Sequence, residues 1–258
     1  MQDAKSWIET GAATHVGKVR RQNEDNYLVA TPRGLWAVAD GMGGHAAGEI
    51  ASRIVVDELA AVATPATAAE LLASCEQHLI SANSHLKKLG DERGALIGTT
   101  VAVLLIFDGH YACIWSGDSR IYRLRRHRIE QISVDHTEVQ ELVSAGRLTA
   151  EEARTWPRRN VITRAIGVSD DPELEIKGGA LKAGDTFVIC SDGLTAHVED
   201  QEILALAEEN SPQRMCDLLV DLTLDRGAVD NVTVVAVRFD PAAAATMRAA
   251  PASPHSRE

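Results

Sequence analysis

The stretch LWAVADGMGGHAAGE, residues 35–49, joins an apolar strand-like run to a segment of helical periodicity through a turn that opens at Asp40. Leu35–Ala39 reads as the strand, and Gly41, Gly43, Gly44 and Gly48 follow the acid. Glycines so densely set free the backbone from Cβ sterics, allow positive φ and let a small group approach closely. An acidic side chain thus stands at a strand end beside open backbone, a fitting place for a hard cation that takes carboxylate and carbonyl oxygens. An Asp-Gly pair after a strand is more often an ordinary tight turn than a ligand. The rest of the chain has to decide.

Toward the N-terminus, residues 10–30 read as strand, turn and strand, with a charged centre from Lys18 to Asn26. Beyond Glu49, the residues Ile50, Ile54, Val55, Leu59 and Val62 recur at helical spacing, and Leu71, Leu72, Cys75, Leu79, Leu86 and Leu89 form a second stripe up to Gly90. The period then changes. Thr99–Phe107, His110–Trp115, Arg120–Leu124 and Ile129–Ile132 are short β-branched or aromatic runs, predicting an antiparallel meander. Residues 135–157 return to helical patterning, with Thr149 and Glu152 spaced as a capping box. Strands are expected at Phe187–Cys190 and Val232–Phe239, with helices around Gln201–Glu208 and Pro212–Asp225 between them. The pattern predicts one mixed α+β domain over 1–240, largely antiparallel, and a loose Ala/Pro-rich tail over 241–258.

Composition bounds the function. The 258 residues are 45% hydrophobic and 24% charged, near globular averages, with a net charge of −11. That charge argues against a general binder of nucleic acid or anionic membrane. No apolar run is long enough for a signal peptide or a bilayer span, so a soluble, cytoplasmic protein is expected. Cys75, Cys113, Cys190 and Cys216 lie far apart in apolar segments, as buried reduced thiols do.

Acidic residues recur where strands should end: Glu24-Asp25, Asp40, Asp118, Asp192 and Asp230. Each alone reads as a solvated turn acid; several at equivalent ends point to one site. Buried carboxylates without cationic partners repel one another and hold their protons more tightly unless divalent cations neutralise them. An all-oxygen donor set favours Mg²⁺ or Mn²⁺, with Ca²⁺ a further option and Zn²⁺ less suited.

Arg20-Arg21-Gln22-Asn23-Glu24-Asp25, Asp40-Gly41-Met42-Gly43-Gly44-His45, Gly98-Thr99-Thr100, Gly117-Asp118-Ser119-Arg120, Ser191-Asp192-Gly193 and Asp230-Asn231 occur in the order found in the metal-dependent protein phosphatases of the PP2C (PPM) family. From about Thr10 to Phe239 the chain resembles the compact bacterial members. The resemblance implies an α-β-β-α sandwich and a protein serine/threonine phosphatase with a two-metal centre, Mn²⁺ or Mg²⁺, in a cleft at one end of the sheets. Asp40 would bridge both ions, the Gly41 carbonyl would complete the second, and Asp192 and Asp230 would hold the first. Glu24 and Asp25 would order water around the metals, and Asp118 would serve a third ion. Water activated between the metals would attack directly, without a phosphoenzyme.

Arg20 is the expected phosphate clamp, because a guanidinium offers two parallel hydrogen bonds to phosphate oxygens. Alternatively Arg20 or Arg21 only pairs with Glu24 or Asp25. His45 is either the acid that protonates the leaving oxygen or a structural histidine. Residues 134–167 resemble a helical flap beside the site, or else a packed helical hairpin. The expected partners are phosphorylated proteins, including a cognate Ser/Thr kinase, met by a monomer that binds neither nucleic acid nor membrane. A non-catalytic phosphoprotein-binding module and a small-molecule phosphoesterase are the rival readings.

Overall fold

Strands that are apolar on both faces need cover on both sides, and here two antiparallel sheets stack between helices. The computed structural model describes residues 7–43 and 47–241, so the predicted tail falls almost wholly outside the described residues. In chain order the elements are β1 (Ile8–His15), β2 (Asp25–Ala30), β3 (Leu35–Met42), α1 (Ala47–Ala60), α2 (Ala68–Arg93), β4 (Gly98–Thr99), β5 (Val101–Phe107) and β6 (His110–Ser116). Then come β7 (Arg120–Leu124), β8 (Ile129–Gln131), α3 (Glu138–Ser144), α4 (Ala150–Arg154), β9 (Glu175–Ala180), β10 (Asp185–Cys190), α5 (Asp192–Thr195), α6 (Asp200–Glu209), α7 (Pro212–Asp225) and β11 (Val232–Phe239). One sheet runs β1-β11-β10-β7-β8 and the other β2-β3-β5-β6-β9, with β4 on β3.

Alternation along the central strands sorts side chains between layers. Leu35, Ala37 and Ala39 of β3, with Val101, Val103 and Leu105 of β5, pack against α1 and α2. Their intervening neighbours Trp36, Val38, Ala102 and Leu104 face Phe187, Ile189, Val235 and Val237 of the other sheet. Val188 and Cys190 of β10 and Val232, Val234 and Ala236 of β11 complete a third cluster with α6 and α7. Each fully buried Leu, Val or Phe stabilises the fold by about 1.5–3 kcal/mol. The four cysteines are free and buried, as expected.

The two strands expected within 10–30 form, but they pair elsewhere: β1 with β11 and β2 with β3, in different sheets. Likewise the expected meander divides into two hairpins, β5-β6 and β7-β8, one per sheet. The chain crosses between sheets at Gly117–Ser119, a switch that local periodicity does not reveal. β9, with only Ile176 and Ala180 as apolar residues, was not predicted, and it pairs as an edge strand with β6.

Candidate metal centre

The acids gather because both sheets present strand ends at one end of the sandwich. Asp25 opens β2 and lies directly across from Asp40 on β3. Asp40 is therefore inside its strand rather than past its end, since β3 continues to Met42. Asp118 lies in the crossing between β6 and β7, Asp192 starts α5 directly after β10, and Asp230 precedes β11.

Uncharged residues fix the frame. The Asp40 carbonyl accepts from Thr100 N at 2.8 Å and Thr99 Oγ1 at 2.9 Å, and Asp40 N donates to Thr100 Oγ1 at 3.1 Å. Thr100 Oγ1 and Ser119 Oγ are 2.7 Å apart, which couples the Asp40 strand to the Asp118 loop. Asn231 holds the N-terminal loop: its Nδ2 donates to Val16 O and Gln22 O, each at 2.9 Å, and its Oδ1 accepts from Glu24 N at 2.8 Å. Ser191 Oγ donates to Asp25 Oδ2 at 2.8 Å and accepts from Thr233 N at 3.0 Å. None of these roles was read from the sequence. The available signal was a neutral polar residue beside three of the acids: Ser119 beside Asp118, Ser191 beside Asp192 and Asn231 beside Asp230; Thr99 and Thr100 flank none.

Two glycines are required by close approach. A Cβ on Gly41 would stand 2.0 Å from Gly48 O, and one on Gly193 would stand 1.9 Å from Asn231 O. Both distances lie far inside van der Waals contact, so the end of β3 beside Asp40 and the start of α5 fit only glycine.

Burial, then neighbouring negative charge, raises proton affinity across the cluster. Asp25 is pushed up to about 7 by desolvation, opposed by the hydrogen bond from Ser191 and reinforced by Asp192 and Asp230. Asp118 is also pushed up to about 7, by burial and then by Asp192 and Asp135. Asp40 rises well above the carboxylate range through burial and the charges of Asp25, Asp192, Asp118 and Asp230. Asp192 rises for the same first reason, then Asp230. Glu24 rises by burial, with Arg20 opposing.

Burial and then the negative charge of neighbouring acids thus raise the proton affinity of both Asp40 and Asp192. Asp25 Oδ1 is buried with no hydrogen-bond partner. No three His, Cys or carboxylate side chains among the described residues already stand close enough to share an ion. The donor chemistry nevertheless fits one: an orphaned buried oxygen and a group of mutually repelling carboxylates are what a divalent cation would satisfy.

Arg20 Nη2 donates to Asp230 Oδ2 at 2.6 Å, with Arg20 about half exposed at 51%. Arg21 makes no ion pair among the described residues, so the pairing alternative is met by Arg20, with Asp230 rather than Glu24 or Asp25. His45 lies outside the described residues.

Segment 134–167 holds two short helices, α3 and α4, and its ends are tied to the cluster. At one end Arg120 clamps Asp135 through Nε at 3.0 Å and Nη2 at 2.6 Å, and His136 Nδ1 accepts from Gly117 N at 3.1 Å. Thr137 caps α3, its side chain accepting from Gln140 N. At the other end Thr99 and Ile166 exchange backbone hydrogen bonds of 3.0 and 2.9 Å. A cleft of about 730 Å³ runs between this segment and α5-α6, lined by Asp118, Asp192, Arg154, Arg159, Asn160 and Asp200 among others.

The protein phosphatase 2C family profile matches residues 15–222. The chain is 39% identical over 231 residues to the serine/threonine protein phosphatase PstP of Mycobacterium tuberculosis, covering 88% of this chain and 44% of PstP. It thus spans less than half the length of that relative. With protein phosphatase PhpP of Streptococcus pneumoniae the identity is 35% over 241 residues, covering 90% of this chain and 98% of PhpP. Among solved structures, PppA of Pseudomonas aeruginosa superimposes with a TM-score of 0.84 at 38% identity, over 90% of this chain and 97% of PppA. The catalytic domain of PstP, solved in complex with two manganese ions, gives 0.80 at 36% identity, over 90% of this chain and 98% of that domain.

Proposed function

The chain belongs to the protein phosphatase 2C family, and from that premise we propose that it hydrolyses phosphoserine and phosphothreonine monoesters in proteins, using two divalent cations, Mn²⁺ or Mg²⁺. The observation that carries the reading is the set of acids Asp25, Asp40, Asp118 and Asp192, drawn from separate strand ends and all with raised proton affinity. Asp40, the Gly41 carbonyl, Asp192 and Asp230 would hold the two ions, and Asp118 with Asp192 would be available to a third. When bound, such ions would neutralise the carboxylates and the substrate phosphate and would activate water for attack.

The remaining steps belong to the chain itself. Arg20 would leave Asp230 to grip two phosphate oxygens, turning the ester bond toward the metals. Asp25, which is buried, and the half-buried Glu24 would accept hydrogen bonds from water held in the site. His45 is kept as the candidate donor of a proton to the leaving serine or threonine oxygen, its structural alternative being a histidine that only packs. Residues 134–167 would act as a flap over the cleft on which the flanking peptide rests. The catalytic unit would extend over 1–240, with 241–258 as a tail. We place the enzyme in the cytoplasm as a monomer, opposing a Ser/Thr kinase.

The deciding experiment is phosphate release from a phosphothreonine peptide, with Mn²⁺ and with chelator, comparing the native chain with Asp40→Asn. Metal-dependent release, abolished in the variant, is expected. A native chain that binds Mn²⁺ but releases nothing from phosphopeptides would overturn the proposal in favour of a phosphoprotein-binding module. Release from small phosphoesters alone would favour the small-molecule reading.

A further inference from the structure

The β5-β6 and β7-β8 hairpins both turn through two residues of positive φ, but they are built from opposite materials. The first uses Asp108 and Gly109, at φ 43° and 74°, residues well suited to such a turn. The second uses Arg126 and His127, at φ 52° and 58°, closed by reciprocal backbone hydrogen bonds between Arg125 and Arg128 of 2.9 and 3.2 Å. Bulky side chains rarely adopt that conformation, and backbone strain of this kind concentrates where function holds it in place.

The strained turn projects cations from an acidic molecule. Arg123, Arg125, Arg126 and Arg128, with Ile129 and Glu130, line a cavity of about 560 Å³, in a chain of net charge −11. Two of these arginines have structural duties. Arg125 grips the buried Asp185 through Nε and Nη2, each at 2.5 Å, and Arg123 pairs with Glu130 and bonds the Tyr111 hydroxyl at 3.0 Å. His127 Nδ1 meets Glu208 Oε1 of α6 at 2.7 Å. Arg126 and Arg128 are exposed and make no ion pair among the described residues. Their guanidinium groups are free to take anions.

The turn lies at the far end of β7 from the acid cluster. Arg120 pairs with Cys190, beside Asp192, whereas Leu124 pairs with Thr186. The length of β7 puts roughly 17 Å between the two regions. A ligand here does not compete for the catalytic cleft.

We propose that this arginine-lined hairpin is a docking site for an extended, Asp/Glu-rich segment of a partner protein. Peptide fits better than the other polyanions. A nucleic-acid binder neutralises many phosphates along a broad basic face, and here two free guanidinium groups stand alone on a −11 chain. An anionic membrane presents an extended charged surface to the whole −11 molecule, whereas a short acidic segment meets chiefly the basic turn. Assigning the docked protein to the substrates or the kinase rests on the phosphatase reading, but the binding does not.

The test is fluorescence anisotropy of the full chain at low salt, with a labelled Asp/Glu-rich peptide, a phosphothreonine-bearing peptide and a neutral Asn/Gln peptide. The variants are Arg126→Asn/His127→Gly, which gives the turn the residues its geometry prefers, and Arg128→Gln. Anionic peptides should bind the native chain and weaken about tenfold or more in each variant, the loss expected for a charged hydrogen bond. Added salt should weaken them further. The turn variant should melt no lower than the native chain, and p-nitrophenyl phosphate hydrolysis should be unchanged in both. A phosphothreonine-bearing peptide that binds more tightly than the Asp/Glu-rich peptide would overturn the assignment to an acidic segment. Equal binding of the neutral peptide, affinity unchanged in both variants, or tighter binding of single-stranded DNA or phosphatidylglycerol vesicles would overturn the site. A chain that docks peptide through these arginines yet hydrolyses no phosphoester would instead overturn the phosphatase reading and leave the docking site standing.

Discussion

Arg20 is held by Asp230 at 2.6 Å, and both residues are assigned to partners they would meet only in the working enzyme, a phosphate and a cation. The ion pair is half exposed, so it contributes little stability and can exchange. Arg20→Ala should raise KM for a phosphopeptide and lower kcat/KM by about 10- to 100-fold, the loss of one or two charge-assisted hydrogen bonds. Mn²⁺ affinity by calorimetry should hold or rise, because Asp230 is released. Unchanged kcat/KM would remove Arg20 from the site. At this scale the charged residues were legible, because an acid at a strand end stands out in an apolar surround. Asn231, Thr99, Thr100 and Ser191 were not, because their work is hydrogen bonding to backbone or carboxylate far along the chain. A hydroxyl or amide in a sequence does not announce its partner.

Segment 134–167 is tied to the acid cluster by a few contacts. Arg120 is largely buried and makes its fork with Asp135, and Gln131 Nε2 also donates to Asp135 at 2.8 Å. Asp135→Asn would leave the guanidinium without its counter-charge, at a cost of about 1–3 kcal/mol. We expect a lower Tm and faster amide exchange confined to 134–166, with the central strands unaffected. Uniform exchange across the molecule would show that the clamp serves the whole fold instead. Elements with strong periodicity were readable: α2 runs from its Thr67 cap, and the Thr149/Glu152 capping box forms as predicted. β9 was not, because an edge strand reading EIKGGA has little apolar content and depends on β6 for its existence.

For the whole molecule, the raised proton affinities set a pH dependence. Metal-free, Asp25 and Asp118 go from an ordinary value of 3.8 to about 7 on folding, so the native state holds their protons more tightly than the unfolded chain. Their contribution is fully present below pH about 4 and is lost as pH rises through about 7. Melts in chelator should therefore lose stability between those limits, on the order of a few kcal/mol. Asp25→Asn/Asp118→Asn should flatten the profile. Added Mn²⁺ should restore stability most at high pH, by about 2.7 kcal/mol at a hundredfold excess over Kd. A chelated native chain whose Tm is level or rises over this range would refute the account. The sequence by itself determined the mixed α+β class, the central strands, the main helices and the acids, because periodicity and unpaired buried charge are local signals. Only the tertiary structure decided that β1 and β2 part into different sheets, that the meander divides at Gly117–Ser119, and that Asp25 stands across from Asp40. Strand pairing is a choice among distant partners, settled by which arrangement covers both faces of every central strand, and no local window of sequence contains that competition.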